Sequence, residues 1–370
     1  MKDFLDDTNI IFIVNPKAGG EDNDSDDEDN DSNWTPVVDK PKPKPKPKPK
    51  KRTLDIVVKN PKPVKNLDDL IDVLEESAST RSSKRLKKKN NSDLPNLIKS
   101  LKELRELVGM ENVKNELVNQ ILLFMQKMND PGMFLHTVLT GNAGCGKTTL
   151  CHILAKIYKN MGFLSTDKVV LADRSHLIGK WLGETYNKTK ELLDSANGGI
   201  LLIDEAYSLG SPEGRDSFSK ECIDCINQYL SENAEDFVCI IAGYKDDLDK
   251  CFFSQNQGLE RRFPWKFHIN QYNPSELYDI FNLQVTQDKW KLKAKKEEII
   301  KLLVDNKDHF ANNGGDTKNL LDKCKICHAQ RVFGSRKAKK SLTIDDINSG
   351  FKIYSKLKIK KPQPPMGLYV

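Results

Sequence analysis

The sequence predicts an α/β unit, a parallel sheet with helices on both faces, followed by a small all-helical unit and preceded by a long polar extension. Three observations predict it. Between residues 137 and 242 short apolar strands alternate with amphipathic helices, the pattern of a parallel sheet with crossover helices. A glycine-rich segment, Gly141 to Gly146, falls between a strand and a helix. From residue 274 to 357 apolar residues recur at helical spacing only.

Taken in order, residues 1–93 read as the extension. Glu21 to Asp31 is a nearly unbroken acidic tract, Lys40 to Lys51 is a Lys-Pro repeat, and Lys84 to Lys89 is a second basic run. Like charges repel and proline supplies no backbone donor, so these tracts cannot bury enough apolar surface to offset chain entropy. Disorder is expected there, with a short helix at Leu67 to Leu74. The α/β unit occupies 94–272. It opens with a helix marked by Leu97, Leu101, Leu104 and Leu107, breaks at Val108-Gly109-Met110, and resumes as a helix over Val113 to Met128. Strand Thr137 to Leu139, helix Thr148 to Tyr158, strand Val169 to Ala172 and helix Glu184 to Ser195 follow. Strand Ile200 to Ile203, helix Asp216 to Leu230 and strand Val238 to Ala242 complete the alternation. Residues 273–357 form the helical unit and 358–370 a tail.

Bulk properties narrow the function. The 370 residues carry 59 Lys and Arg against 53 Asp and Glu, a net charge of +6 that does not by itself argue for nucleic acid. No apolar run approaches the roughly 20 residues needed to span a bilayer, and Ile10 to Val14 is too short for a signal-peptide core. We therefore expect a soluble intracellular protein without a membrane partner. Its eight scattered cysteines suit a reducing compartment.

Two motifs carry chemistry. Gly141-Asn142-Ala143-Gly144-Cys145-Gly146-Lys147-Thr148, continued by Thr149, is the phosphate-loop pattern of Gly, four residues, then Gly-Lys-Thr. Glycines let backbone N–H groups converge on phosphate oxygens, and the following helix adds its positive end. Lys147 is placed to reach the β- and γ-phosphates of ATP, and Thr148 to hold Mg2+. One strand-helix unit later, apolar Gly199 to Ile203 delivers Asp204 and Glu205 to the carboxyl edge of the sheet. Asp204 would organise the Mg2+ shell, and Glu205 would orient and activate water.

These phrases, with LVGMENVKNEL before the loop, GGILLIDEAYSL at the carboxylates and IIAGYKDDLDKCFFSQNQGLERRF after them, resemble the AAA+ superfamily of P-loop NTPases. Within it they are similar to the CbxX/CfqX group, which includes red-type rubisco activases and sporulation-associated and viral proteins. The resemblance runs from about Leu104 to Tyr354. It implies ATP hydrolysis between neighbouring subunits of a homo-oligomeric ring, usually a hexamer, with the helical unit as its lid. It places an arginine finger at Arg262, with Arg261 competing, and a first pore loop at Lys180-Trp181-Leu182 flanked by Gly179 and Gly183. Gly210 to Arg215 corresponds to a second pore loop. Two positions depart from the pattern. Tyr244 stands where Asn, Thr or Ser usually orients the water, and Lys318 stands where the lid usually supplies Arg, keeping the charge but losing the planar fork.

Cys222-x-x-Cys225 and Cys324-x-x-Cys327-His328 look like metal or haem pairs, but each falls within a helix where such spacing places small apolar side chains on one face. His136 and His152 read as packing residues. The leading reading is an ATP-driven remodeller of a protein client. A nucleic-acid motor, supported only by the lysine-rich extension, and an ATP-gated scaffold of low turnover are the alternatives. The client itself, including rubisco, does not follow from the motifs.

Overall fold

The computed structural model describes residues 10–11, 63–80, 93–130, 133–181, 183–210, 216–233, 235–256, 258–334 and 340–357. In chain order the α/β unit contains β1 (Ile10–Ile11), α1 (Leu67–Thr80), α2 (Asp93–Glu106), α3 (Glu111–Met125), β2 (Thr137–Gly141) and α4 (Lys147–Asn160). It continues through β3 (Val169–Ala172), α5 (Arg174–Leu177), α6 (Glu184–Ser195), β4 (Ile200–Ile203), α7 (Ser217–Glu232), β5 (Val238–Gly243), α8 (Lys245–Asp247) and β6 (Trp265–Ile269). The sheet runs β1-β3-β4-β5-β2-β6 with every pairing parallel.

Alternation along the strands sorts the core. Leu139, Ile200, Leu202, Ile240 and Phe267 join α1 to α4 on one face, whereas Val138, Leu201, Ile203, Cys239 and Ile241 join α6 and α7 on the other. Strands buried on both faces must be apolar throughout, which is why β4 reads Ile-Leu-Leu-Ile. β6 was absent from the expected strands. It is an edge strand beside β2, and its buried Phe267 and Ile269 alternate with exposed Lys266 and His268. That period of two is readable, but it is short and follows Arg-Arg-Phe-Pro.

The second unit is built from α9 (Pro274–Gln287), α10 (Lys296–Asp305), α11 (Asn313–Arg331) and α12 (Ile344–Leu357). Asn273 caps α9 in a reciprocal capping box with Glu276, with Pro274 as its first helical residue. Beside the helices this unit also has a two-residue parallel pairing of β7 (Lys291–Leu292) with β8 (Ser341–Leu342). Its apolar residues Phe281, Leu320 and Ile347 belong to the same core as α2 to α4, so the two units share one hydrophobic body.

Two segments of the extension are ordered. β1 pairs with β3, and α1 runs 14 residues, beyond the short helix expected at Leu67 to Leu74. Leu67, Leu70, Ile71 and Leu74 are buried in the main core, while Lys102–Glu75 (2.6 Å) and Arg105–Asp68 (3.5 Å) pair α2 with α1 on the surface. The acidic tract, the Lys-Pro repeat, the basic run at 84–89 and the tail after 357 lie outside the described residues.

Burial makes α1 a structural member of the domain. We expect Leu74→Ala to cost about 2–5 kcal/mol of unfolding free energy, measured by urea denaturation of the full chain. A change under about 0.5 kcal/mol would mean that α1 contributes nothing.

Candidate functional site

A cleft of about 600 Å3 opens at the carboxyl ends of β2, β4 and β5 and is closed on one side by the helical unit. Its volume lies within the range of small-molecule sites. Gly144 and Gly146 both have positive φ (+67° and +92°), and Gly146 caps α4. A Cβ on Gly144 would fall 2.2 Å from the Asn312 carbonyl oxygen, so glycine is required there by contact as well as by backbone angle. The Lys147 ammonium donates to the carbonyls of Gly141 and Asn142, 3.1 Å each, and so lies inside the curl of the loop. Ala143, Thr148 and Thr149 line the cleft with it. The first turn of α4 has no acidic residue, which leaves its positive end free for an anion. Cys145 is buried, and burial pushes its thiol pKa up; its carbonyl accepts the Tyr272 hydroxyl at 2.8 Å. A reactive thiolate is not favoured there.

Across the cleft, β4 ends in exposed Asp204 and Glu205. The Asp204 N–H donates to the Ala172 carbonyl at 2.9 Å, and Asp204 Oδ1 accepts the Glu205 N–H at 3.0 Å. Glu205 has φ 49° and ψ 44°, the left-handed region, which turns the chain sharply out of the strand. For a non-glycine residue this costs about 1–3 kcal/mol and persists only where the surroundings hold it. Tyr207 lies within electrostatic reach of Glu205: burial first, and then the Glu205 charge, push the phenol up to about 12. Tyr244 follows β5 with its ring 6.1 Å from that of Tyr207. Sequence reasoning singled out Tyr244 and missed Tyr207, which follows the carboxylates by two residues.

The apolar end of the cleft is formed by Leu107, Val108 and Met110 from the α2–α3 connection and by Ile280 and Leu283 from α9. An apolar end, a curl of backbone donors and paired carboxylates together suit a nucleoside phosphate: base, phosphates and hydrolytic water in turn. The Thr148 hydroxyl and the Asp204 carboxylate line the same cleft. They are hard oxygen donors of the kind Mg2+ prefers, so the residues present fit that ion.

The helical unit touches the loop directly. Gly314 N–H donates to the Gly144 carbonyl at 3.1 Å, and Asn313 Nδ2 lies 3.4 Å from the Ala143 carbonyl. Lys318 lines the cleft, but its ammonium pairs with Asp288 at 2.7 Å. Lys318 and then Lys325 hold the Asp288 carboxyl below its ordinary pKa.

Other candidates lie away from the cleft. Trp181 is 75% exposed. The Lys180 and Trp181 N–H groups donate to Glu184 Oε2 at 2.7 and 3.2 Å, folding the loop onto the first turn of α6. Gly179 is needed for close packing: a Cβ there would meet Glu184 Cβ at 2.8 Å. Leu182 and residues 211–215 lie outside the described residues. Arg262 donates to the Gly258 carbonyl at 2.6 Å and to Ser231 Oγ at 2.6 and 3.0 Å, and is not among the described lining residues of its own cleft. Arg261 is exposed. The cysteine pairs pack inside α7 and α11, where burial pushes Cys222 up to about 12 and Cys225 to about 11. His328 bonds to buried Asp346 at 3.3 Å, beside Arg331.

Residues 137–263 match the family described as ATPase family associated with various cellular activities (AAA). The chain is similar to a putative cfxQ-like protein of Acanthamoeba polyphaga mimivirus, 40% identical over 67% of this chain and 62% of that protein. It is also similar to the chloroplastic ribulose bisphosphate carboxylase/oxygenase activase of Cyanidioschyzon merolae, 31% identical over 62% of this chain and 81% of that one. The FIGL-1 AAA domain in complex with ADP superposes with a TM-score of 0.51 at 18% identity, covering 67% of this chain and 83% of that one, a likeness of fold alone.

The contact between Gly144 and the helical unit generates a test. We expect Gly144→Ala to weaken binding of a fluorescent ATP analogue at least about tenfold, since the added methyl must displace the Asn312 carbonyl and strain the loop. Affinity equal to that of the parent would show that neither contact matters for binding.

Proposed function

Because the chain belongs to the CbxX/CfxQ-like family of AAA ATPases, we propose that it couples ATP hydrolysis to the remodelling of a protein client as a homo-oligomeric ring, in the hexameric form the family resemblance implies. The observation that carries the reading is the facing of two elements across one cleft: the glycine loop with Lys147, and the Asp204–Glu205 pair. Lys147 and the backbone N–H groups of Gly141 to Thr149 bind the phosphates of ATP. Thr148 and Asp204 would hold Mg2+, which when bound offsets phosphate charge. Glu205 orients and activates the water, with the Tyr207 phenol within its electrostatic reach. Tyr244, exposed at the end of β5, lies on the same side and takes the water-orienting position that a shorter polar residue has elsewhere in the family.

Arg262 bonds to Gly258 and Ser231 and is not among the described residues lining its own cleft, which supports a role at the site of a neighbouring copy, where a guanidinium would neutralise charge developing on the γ-phosphate. Lys318 would serve ATP by leaving Asp288, exchanging one anionic partner for another. Exposed Trp181, beside Lys180 and Leu182, is the residue that would grip an extended polypeptide; the client is a protein of unspecified identity.

A second reading is an ATP-gated scaffold of low turnover. It is favoured by a contact that holds the machinery back, the ion pair of Lys318 with Asp288.

Steady-state ATPase activity measured against protein concentration, with size analysis in ATP, separates the two. The remodeller reading expects specific activity to rise with assembly. It expects losses of about 100-fold or more in both Glu205→Gln and Arg262→Ala, with Glu205→Gln still assembling. Assembly without turnover in the parent supports the scaffold. Turnover independent of concentration down to the monomer contradicts a shared site.

A further inference from the structure

Arg174 belongs to none of the motifs. It opens α5, the one-turn helix between β3 and the Trp181 loop, which Asp173 caps by accepting the Ser175 and His176 N–H groups. Its guanidinium reaches three acceptors on two other elements. Nη1 donates to the Ser208 carbonyl at 2.7 Å and to Ser219 Oγ at 2.8 Å, and Nη2 donates to Asp216 Oδ2 at 2.6 Å. Asp216 is itself the cap of α7, accepting from the Phe218 and Ser219 N–H groups.

Ser208 lies in the turn Ala206–Leu209 that leaves Glu205, and its N–H closes that turn on the Glu205 carbonyl at 2.8 Å. The other side of the turn is equally fixed. A Cβ on Gly210 would fall 1.6 Å from the Cys251 carbonyl oxygen, so the backbone there rests directly on the segment after β5. The turn is therefore held between Arg174 and the Cys251 backbone. Glu205 needs such support, because its left-handed backbone is unfavourable and must be imposed by its neighbours. A planar fork that binds a carbonyl and a carboxylate together does this with little freedom left over.

We propose that Arg174 is a positioning residue for hydrolysis: by holding the Ser208 carbonyl and the Asp216 cap it fixes the Ala206–Leu209 turn, and through it the direction of the Glu205 carboxylate. The inference rests on the reading of Glu205 as the water-activating group. Arg174 also lines a second cleft with Thr148, Asp204 and Glu205, on the side of the carboxylates away from the apolar end of the nucleotide cleft. Its carbonyl also accepts the Ile178 N–H at 3.0 Å, at the start of the segment leading to Trp181.

The test is a kinetic cycle of parent, Arg174→Ala, Arg174→Lys, Glu205→Gln and the Arg174→Ala/Glu205→Gln double variant. Single-turnover ATP hydrolysis, affinity for a fluorescent ATP analogue and melting temperature are read for each. Arg174→Ala should slow turnover about 10–100-fold with analogue affinity within about twofold of the parent, and Arg174→Lys should recover part of the loss. The double variant should be no slower than Glu205→Gln, because a residue acting only through Glu205 has nothing left to position. A rate within about twofold of the parent for Arg174→Ala, losses that multiply in the double variant, or a parallel loss of analogue affinity would each overturn the proposal while leaving the role of Glu205 intact. Full activity in Glu205→Gln would instead remove the reading on which it rests, and the proposal with it.

Discussion

Two strand spacings separate the end of β2 from the end of β4, because β5 lies between them in the sheet. At roughly 4.8 Å per spacing the gap is about 10 Å. That gap is the constraint on which the site depends. The glycine loop continues β2 and the carboxylates continue β4, so they face each other across the end of β5 rather than touching. A phosphate chain with its ion and water needs such a width, and adjacent strands would not supply it. The chain crosses from β2 to the far side before returning through β4 and β5, and this reversal of strand order is what opens a crevice at the carboxyl edge of a parallel sheet.

The gap is closed by segments that lie far apart in sequence. The α2–α3 connection brings Leu107 and Met110, held by buried Lys114, whose ammonium donates to the Leu107 carbonyl and Glu111 at 2.9 Å each. The helical unit brings Gly314 onto the loop carbonyl. Any movement of that unit must therefore be felt at Gly144, and loop occupancy must be felt by the unit. Lys318 is engaged within the chain by Asp288.

Much of this was legible from residues alone. The helix Glu184–Ser195 and the strands Val169–Ala172 and Ile200–Ile203 end where periodicity places them, since each is a clean run bounded by turn residues. The loop and the carboxylates were legible as candidates because their motifs fix residue type and spacing, and the structure lines one cleft with both. What was not legible depends on contacts between distant positions: the need for glycine at 144 comes from Asn312, the pairing of Lys318 from Asp288, and the role inferred for Arg174 from Ser208 and Asp216. The helix α1 was underestimated because its acidic residues dominate its composition, although its leucines sit at helical spacing and are buried. β6 was missed because five residues with one charged and one histidine side chain give a weak signal next to longer apolar strands.

The central claim is that the cleft between the glycine loop, the α2–α3 connection and α9 is the ATP site. Photolabelling with 8-azido-ATP, followed by mapping of the modified peptides, tests it directly. The account predicts label on the peptides carrying Leu107 to Met110 or Ile280 to Leu283, competed away by ATP and lost in Lys147→Ala. Label confined to other parts of the chain, or unaffected by ATP, would contradict it.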